Sequence, residues 1–173
     1  MDLQIFTTTT GRIGRRTWWF TLLVLAVPAS ILSFSLLAVL GRTLLPDLNE
    51  LSNPDSLLGA MRDTAFVELI VLLVFFYPSY VVVQKRLNDR NRPSWMAKLF
   101  LAAPVLLALM NVLGMGFTVA KSSIGMAMPT PTTIGWLLGT LVGIVEIWAV
   151  VECGYLRGTV GPNRFGPDPL ARG

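Results

Sequence analysis

Residues 17–40 read TWWFTLLVLAVPASILSFSLLAVL, a run with no charged side chain. A helix needs about 20 apolar residues to cross roughly 30 Å of hydrocarbon, and this run supplies them. Backbone groups in lipid must find their hydrogen bonds within the segment. Nothing here alternates as the strands of a lipid-facing barrel do. The stretch is therefore expected to be a spanning helix over about 17–40. A cleaved leader is the rival reading: Arg12, Arg15 and Arg16 would form its basic region, and VPA at 27–29 its cleavage site. The apolar run continues to Leu40, well past Ala29, which favours a retained span.

The rest of the chain agrees in character. Of its 173 residues 53% are hydrophobic and 14% charged, against roughly 25% charged in soluble domains; mean hydropathy is +0.63. Three further apolar runs follow: Thr64–Val83 with Glu68, Trp95–Ala120 with Lys98 near its start, and Thr133–Tyr155 with Glu146 and Glu152. The expected architecture is all-α, one polytopic membrane domain over 1–173. Four transmembrane helices, at about 17–40, 64–83, 97–120 and 133–155, form a bundle with a short structured cytoplasmic C-terminal tail.

Charge orients these spans. Eleven of the 14 basic residues (Arg12, Arg15, Arg16, Lys85, Arg86, Arg90, Arg92, Lys98, Arg157, Arg164 and Arg172) lie in the N-terminal segment, the middle connection and the tail. Only Arg42, Arg62 and Lys121 lie in the other two connections. The positive-inside rule then places both termini and the middle connection in the cytoplasm. Trp18, Trp19 and Trp95 fall at the expected inner interface and Trp136 near the outer one, where indoles prefer to lie. Asn53-Pro54 reads as the start of a short interfacial helix, with asparagine capping and proline in the first turn. The second outer connection, KSSIGMAMPTPTT, reads as a loop broken by Pro129 and Pro131.

Three cytoplasmic segments, 11–19, 84–95 and 158–169, couple basic residues to glycine, proline or asparagine and to an aromatic. In the tail GTVGPNRFGPDP, Gly158, Gly161 and Gly166 suit tight turns, while Pro162, Pro167 and Pro169 fix φ locally. Such a tail is cheap to order, and Phe165 gives it an anchor to bury. It is built to dock on the other two segments.

These strings resemble the domain-of-unknown-function 805 family of small bacterial inner-membrane proteins. Gly11, Arg12, Arg15, Arg16, Trp18 and Trp19 match its first element; Lys85, Arg86, Leu87, Asn88, Asp89, Ser94 and Trp95 match its middle loop. Gly161, Asn163, Arg164, Phe165, Gly166, Pro167, Asp168 and Pro169 match its tail. Asn88 stands where the family usually has histidine, so proton chemistry by that histidine would not transfer here. The resemblance implies the inner (cytoplasmic) membrane of a bacterium and a four-span core; it implies no activity.

Arg12, Arg15, Arg86 and Arg164 are expected to pair with Asp89 and Asp168, with Asn163 and Phe165 completing a plate beneath the membrane. Arginine forks suit such a lattice because they hold carboxylates bidentately. Eleven bases against Asp2, Asp89 and Asp168 leave 11 − 3 = +8 on that face. The surplus should attract anionic lipid headgroups, worth about 1 kcal/mol per basic residue near the surface. For the isolated bases Arg157, Arg172 and Lys98, setting topology and snorkelling is sufficient. Nucleic acid is not an expected partner despite a pI near 9.7, since no extended basic arm or recognition module is present.

In the fourth run Gly135, Gly139 and Gly143 share one helical stripe with Glu146. The carboxyl is expected to face protein, about 20 Å below the outer end of the span. An embedded carboxylate costs on the order of 3 kcal/mol, so it needs a proton or partners; Asn111, Tyr77 and Tyr80 are candidates. Pro78 frees the carbonyl of Val74 and should kink the second span. Glu152 is expected to pair with Arg12 or Arg86.

Enzyme chemistry finds little footing. The chain has no histidine and one cysteine, Cys153, so no disulfide framework, metal-ligand cluster or activated nucleophile is expected. GRIGRR lacks the third glycine and preceding strand of a dinucleotide fingerprint. No catalytic, cofactor-binding or metal-binding residue and no cofactor is assigned. The expected function is a non-enzymatic membrane scaffold or binding protein, engaging a partner protein, a second copy or anionic lipid through its cytoplasmic face. A small transporter or channel component using Glu146 is the alternative.

Overall fold

The computed structural model describes residues 4–42, 51–123 and 125–170; Asp2 and Arg172, counted above on the inner face, lie outside these. Along the chain run α1 (Gln4–Thr7), α2 (Arg15–Val39), α3 (Pro54–Val74), α4 (Phe76–Asp89), α5 (Trp95–Val112), β1 (Phe117–Lys121), β2 (Ala127–Pro131) and α6 (Thr133–Val150). A π-helical turn, Val151–Tyr155, closes α6, and Leu156 N–H reaches back five residues to Val151 O. The protein is mostly helical, with three helices long and apolar enough to cross a membrane; the bent pair α3–α4 would make a fourth. Only 6% of the apolar windows of α2 and α6 is buried within the chain. Helices apolar all round and uncovered by protein need an apolar surrounding.

Three sequence expectations change, and the kink expected from Pro78 is present, at 57°. The fold is not all-α, because β1 and β2 pair antiparallel, Phe117 opposite Pro131 and Lys121 opposite Ala127. That hairpin replaces both the expected loop and the end of a helix to residue 120: α5 stops at Val112, and Gly114 follows with φ +73. The interfacial helix at Asn53-Pro54 is the start of the long α3, with Asn53 Oδ1 accepting the Asp55 N–H at 3.0 Å. The second span is two helices with a break at Phe75, one residue after the carbonyl that Pro78 leaves unpaired.

The chain divides into two compact units. One comprises Met1–Pro28, Val74–Ala103 and Gly143–Gly173. Its core gathers Ile13, Trp18, Val82, Leu87, Met96, Phe100 and Cys153, with Phe6, Leu25 and Tyr80 packed on it. Trp18 belongs to this core at 4% exposure and not to a lipid interface. The other unit comprises Ala29–Leu73 and Pro104–Val142. Here Thr132 Oγ1 donates to Met115 O at 2.6 Å and accepts the Gly135 N–H at 2.9 Å, capping α6. A Cβ on Gly135 would run into the Gly116 carbonyl, so glycine permits that approach.

Candidate functional site

The first unit is organised around α4. All nine residues from Val81 to Asp89 are buried, although the sequence reads as a loop from Gln84 onward. The helix continues because nothing in VVVQKRLND breaks it. It ends where Asn91 takes a positive φ of 55° and Pro93 forbids continuation.

Asp89 is the node. One carboxylate oxygen accepts from Arg12 Nη2 at 2.9 Å and Nε at 3.1 Å; the other accepts from Arg86 Nη1. The side chains of Arg12, Arg86 and Asp89 are 1%, 0% and 5% exposed. Arg12 also donates to the carbonyls of Thr159 (2.7 Å), Gly161 (2.8 Å) and Gly166 (3.2 Å), so one guanidinium holds the tail. Arg86 donates to the carbonyls of Cys153 and Leu156. The Asp89 carbonyl accepts both N–H (2.9 Å) and Oγ1 (2.8 Å) of Thr159. Gly158 passes so close to the Asp89 carboxylate that a Cβ there would collide with it.

Asn88 knits the same segments one residue earlier. Its Nδ2 donates to Thr9 O (3.0 Å) and Gly11 O (3.1 Å), and its Oδ1 accepts from Gln84 Nε2 at 2.8 Å. Its carbonyl accepts Asn163 Nδ2 at 3.0 Å. The amide does here what a neutral imidazole does only in part, since it donates twice from one atom.

Other expected pairings fall differently. Arg15 donates to the Tyr155 carbonyl at 2.9 Å and meets no carboxylate among the described residues. The Arg164 guanidinium lies over the Phe165 ring, 4.7 Å from its centroid, and Phe165 is half-buried under that cation. Asp168 turns back on its own segment, accepting Gly161 N–H and Leu170 N–H, each at 2.9 Å. Those two backbone donors hold its carboxyl below the ordinary aspartate value. Glu152 accepts from Arg90 Nε (2.7 Å) and Arg92 Nε (2.6 Å), in place of Arg12 or Arg86. The chain direction after α4 brings Arg90 and Arg92 to it, while Arg12 and Arg86 are taken by Asp89.

The residues expected within the membrane do not assemble. Glu146 is exposed, with no hydrogen bond or ion pair among the described residues, so its expected place on a packed stripe is corrected. Gly139 and Gly143 have open space where a Cβ would stand, and only Gly135 makes a close approach. Asn111 Oδ1 is buried without a partner beside Gly116. Tyr77 donates to Thr7 O at 2.9 Å and Tyr80 packs on the core. Among the described residues no group of His, Cys, Asp and Glu could hold a metal ion.

Three segments far apart in sequence thus close on one aspartate, and all but the last two residues of the third lie within a stretch, residues 6–167, that matches a known family, described as Protein of unknown function (DUF805). The chain belongs to the DUF805 family. No curated protein and no solved structure matches it. In this DUF805 chain the pairing of Arg90 and Arg92 has a signal in the sequence. Two arginines directly follow the buried helix end, where a carboxylate from another segment has to be neutralised. Gln84, Thr9 and Thr159 carried no such signal, because each contributes through backbone atoms, a single amide or a single hydroxyl.

Beside the Asp89 node is a cavity of about 690 Å³. Its basic lining is Arg15, Arg16, Arg86 and Arg157, and its acidic lining Asp89 and Asp168, a balance of 4 − 2 = +2. Both acids are already engaged, Asp89 by arginines and Asp168 by backbone N–H groups. Arg16 and Arg157 are exposed, and their side chains make no hydrogen bond or ion pair among the described residues.

Proposed function

We propose that this chain is a four-span protein of the bacterial inner membrane, with α3 and α4 together serving as one span and both termini cytoplasmic. In this reading segments 11–19, 84–95 and 158–169 form a rigid, non-enzymatic binding platform for anionic lipid headgroups. The observation that carries it is a division of labour among the arginines. Arg12 and Arg86 are consumed in holding the platform together around Asp89. The side chains of Arg16 and Arg157 remain available at the surface, and Arg15 gives only one nitrogen to Tyr155 O. A charge surplus at the inner membrane surface attracts anionic lipid, and a platform ordered beforehand loses little entropy on binding.

Photo-crosslinkers placed at Val160 and Leu170 in living cells test the reading. Anionic phospholipid is expected among the adducts well beyond its share of the membrane. Lipid adducts in proportion to abundance, or one protein captured in place of lipid, overturn it. Reporter fusions at residues 90 and 170 are expected on the same, cytoplasmic side. Transport through Glu146 fares less well: the carboxyl is exposed on α6 with no partner among the described residues, so a pathway would need walls from another chain.

A further inference from the structure

We infer that the cavity between the start of α2 and the tail is a discrete site for a phosphate ester, with Arg16 and Arg157 as its principal anion-binding residues. The inference rests on the platform reading above and narrows it from a charged face to one pocket and one chemical group.

Three features of the cavity point the same way. Its volume, about 690 Å³, lies within the range of small-molecule sites, about 300–1,000 Å³, and exceeds the needs of a bare ion. Its charge is open to a ligand. Arg86 spends its nitrogens on Cys153 O, Leu156 O and Asp89, whereas Arg15 spends one on Tyr155 O, and the side chains of Arg16 and Arg157 form no hydrogen bond or ion pair among the described residues. Guanidinium forks match phosphate oxygens two at a time. Gly14 and Thr17 line the floor where α2 begins, and the α2 dipole adds to the attraction for an anion there. The acids offer little opposition, because Asp89 is neutralised by Arg12 and Arg86 and the Asp168 oxygens face N–H donors.

The third feature concerns what is attached to the phosphate. Val160 and Leu170 line the same cavity and are 77% and 70% exposed. Apolar side chains left open beside free arginines suit an amphiphile, a phosphate carrying an organic group, better than inorganic phosphate. The phosphate could reach the site as a phospholipid headgroup or as a soluble ester; the chemistry of recognition is shared.

The test uses the full chain in detergent, with bound ligand measured by native mass spectrometry. Phosphatidylglycerol, phosphatidylcholine, glycerol phosphate and inorganic phosphate are each titrated. The cavity variant is Arg16→Gln with Arg157→Gln. The equal-charge control is Lys98→Gln with Arg164→Gln, outside the cavity lining. With each juxtamembrane basic residue contributing about fivefold, the cavity variant should bind phosphatidylglycerol roughly thirtyfold more weakly. The control should change it less than about threefold, and Arg16→Lys with Arg157→Lys should recover part of the loss. That pattern for phosphatidylglycerol assigns the site to a headgroup. The same pattern confined to glycerol phosphate assigns it to a soluble ester. Equal losses in cavity variant and control overturn the pocket while leaving the charged platform standing. A wild-type chain that binds phosphatidylcholine as well as phosphatidylglycerol overturns both. All four arginine and lysine positions changed are exposed, and unchanged thermal unfolding verifies that the variants are folded.

Discussion

Replacing Asp89 with alanine should release the tail from the rest of the first unit. The substitution removes one carboxylate and leaves two guanidinium groups, on Arg12 and Arg86, at 1% and 0% exposure without an acid. Breaking a buried ion pair from one side costs about 3–5 kcal/mol, mostly because the surviving charge has lost its compensation. Here both survivors also carry backbone duties. Arg12 holds the carbonyls of Thr159, Gly161 and Gly166, and Arg86 those of Cys153 and Leu156. Their escape toward water would strip those carbonyls too. Cys153 supplies the assay: it is the chain's one cysteine, fully buried at 0% exposure, and its carbonyl rests on Arg86. In the native protein a maleimide should label it only through rare local opening. A change of 3 kcal/mol in that opening raises the labelling rate on the order of a hundredfold. Arg164→Gln, which removes only an exposed contact over Phe165, should change it less than about fivefold. Replacing the triad by Arg12→Met, Asp89→Leu and Arg86→Met should not restore protection, because the orphaned carbonyls remain. Labelling of Asp89→Ala at the wild-type rate, or full protection in the apolar triple variant, would refute the reasoning.

Four further outcomes are expected. Gly158→Ala, whose Cβ would meet the Asp89 carboxylate, should destabilise the first unit by about 1–3 kcal/mol, read as faster Cys153 labelling. Glu152→Gln deprives both Arg90 and Arg92 of their acid; it should expose the connection at 90–94 to trypsin while leaving the Asp89 node intact. The lowered pKa of Asp168 gives the tail a stabilisation that is complete above the ordinary aspartate value of about 3.9. It is lost as pH falls through the lower folded value. Protease resistance of residues 158–170 should therefore be flat from neutral pH down to about 5 and fall below about 4, a fall absent in Asp168→Asn. Gly135→Ala should force α6 away from the Gly116 carbonyl, whereas Gly139→Ala and Gly143→Ala, with open space at the Cβ, should be tolerated within one chain. A strong loss of stability for the latter two in the membrane would show that this stripe is covered by another molecule.

What the sequence determined by itself is everything that follows from local composition. An uncharged run such as Thr17–Leu40 has one low-cost conformation in lipid, so α2 over Arg15–Val39 was legible. The clustering of arginine with glycine, proline and asparagine in three segments marked the parts that meet. Tertiary structure alone decided which charge meets which. Arg12 and Arg86 share Asp89, Glu152 takes Arg90 and Arg92, and Asp168 binds its own backbone. Each of these choices depends on where a distant chain happens to pass within about 3 Å, the reach of a hydrogen bond, and residue type does not encode that distance. The same holds for Gly135 against Gly116, and for Glu146, whose helical stripe was readable but whose neighbours were not. Periodicity fixes the face on which a side chain lies; only packing fixes what stands opposite it.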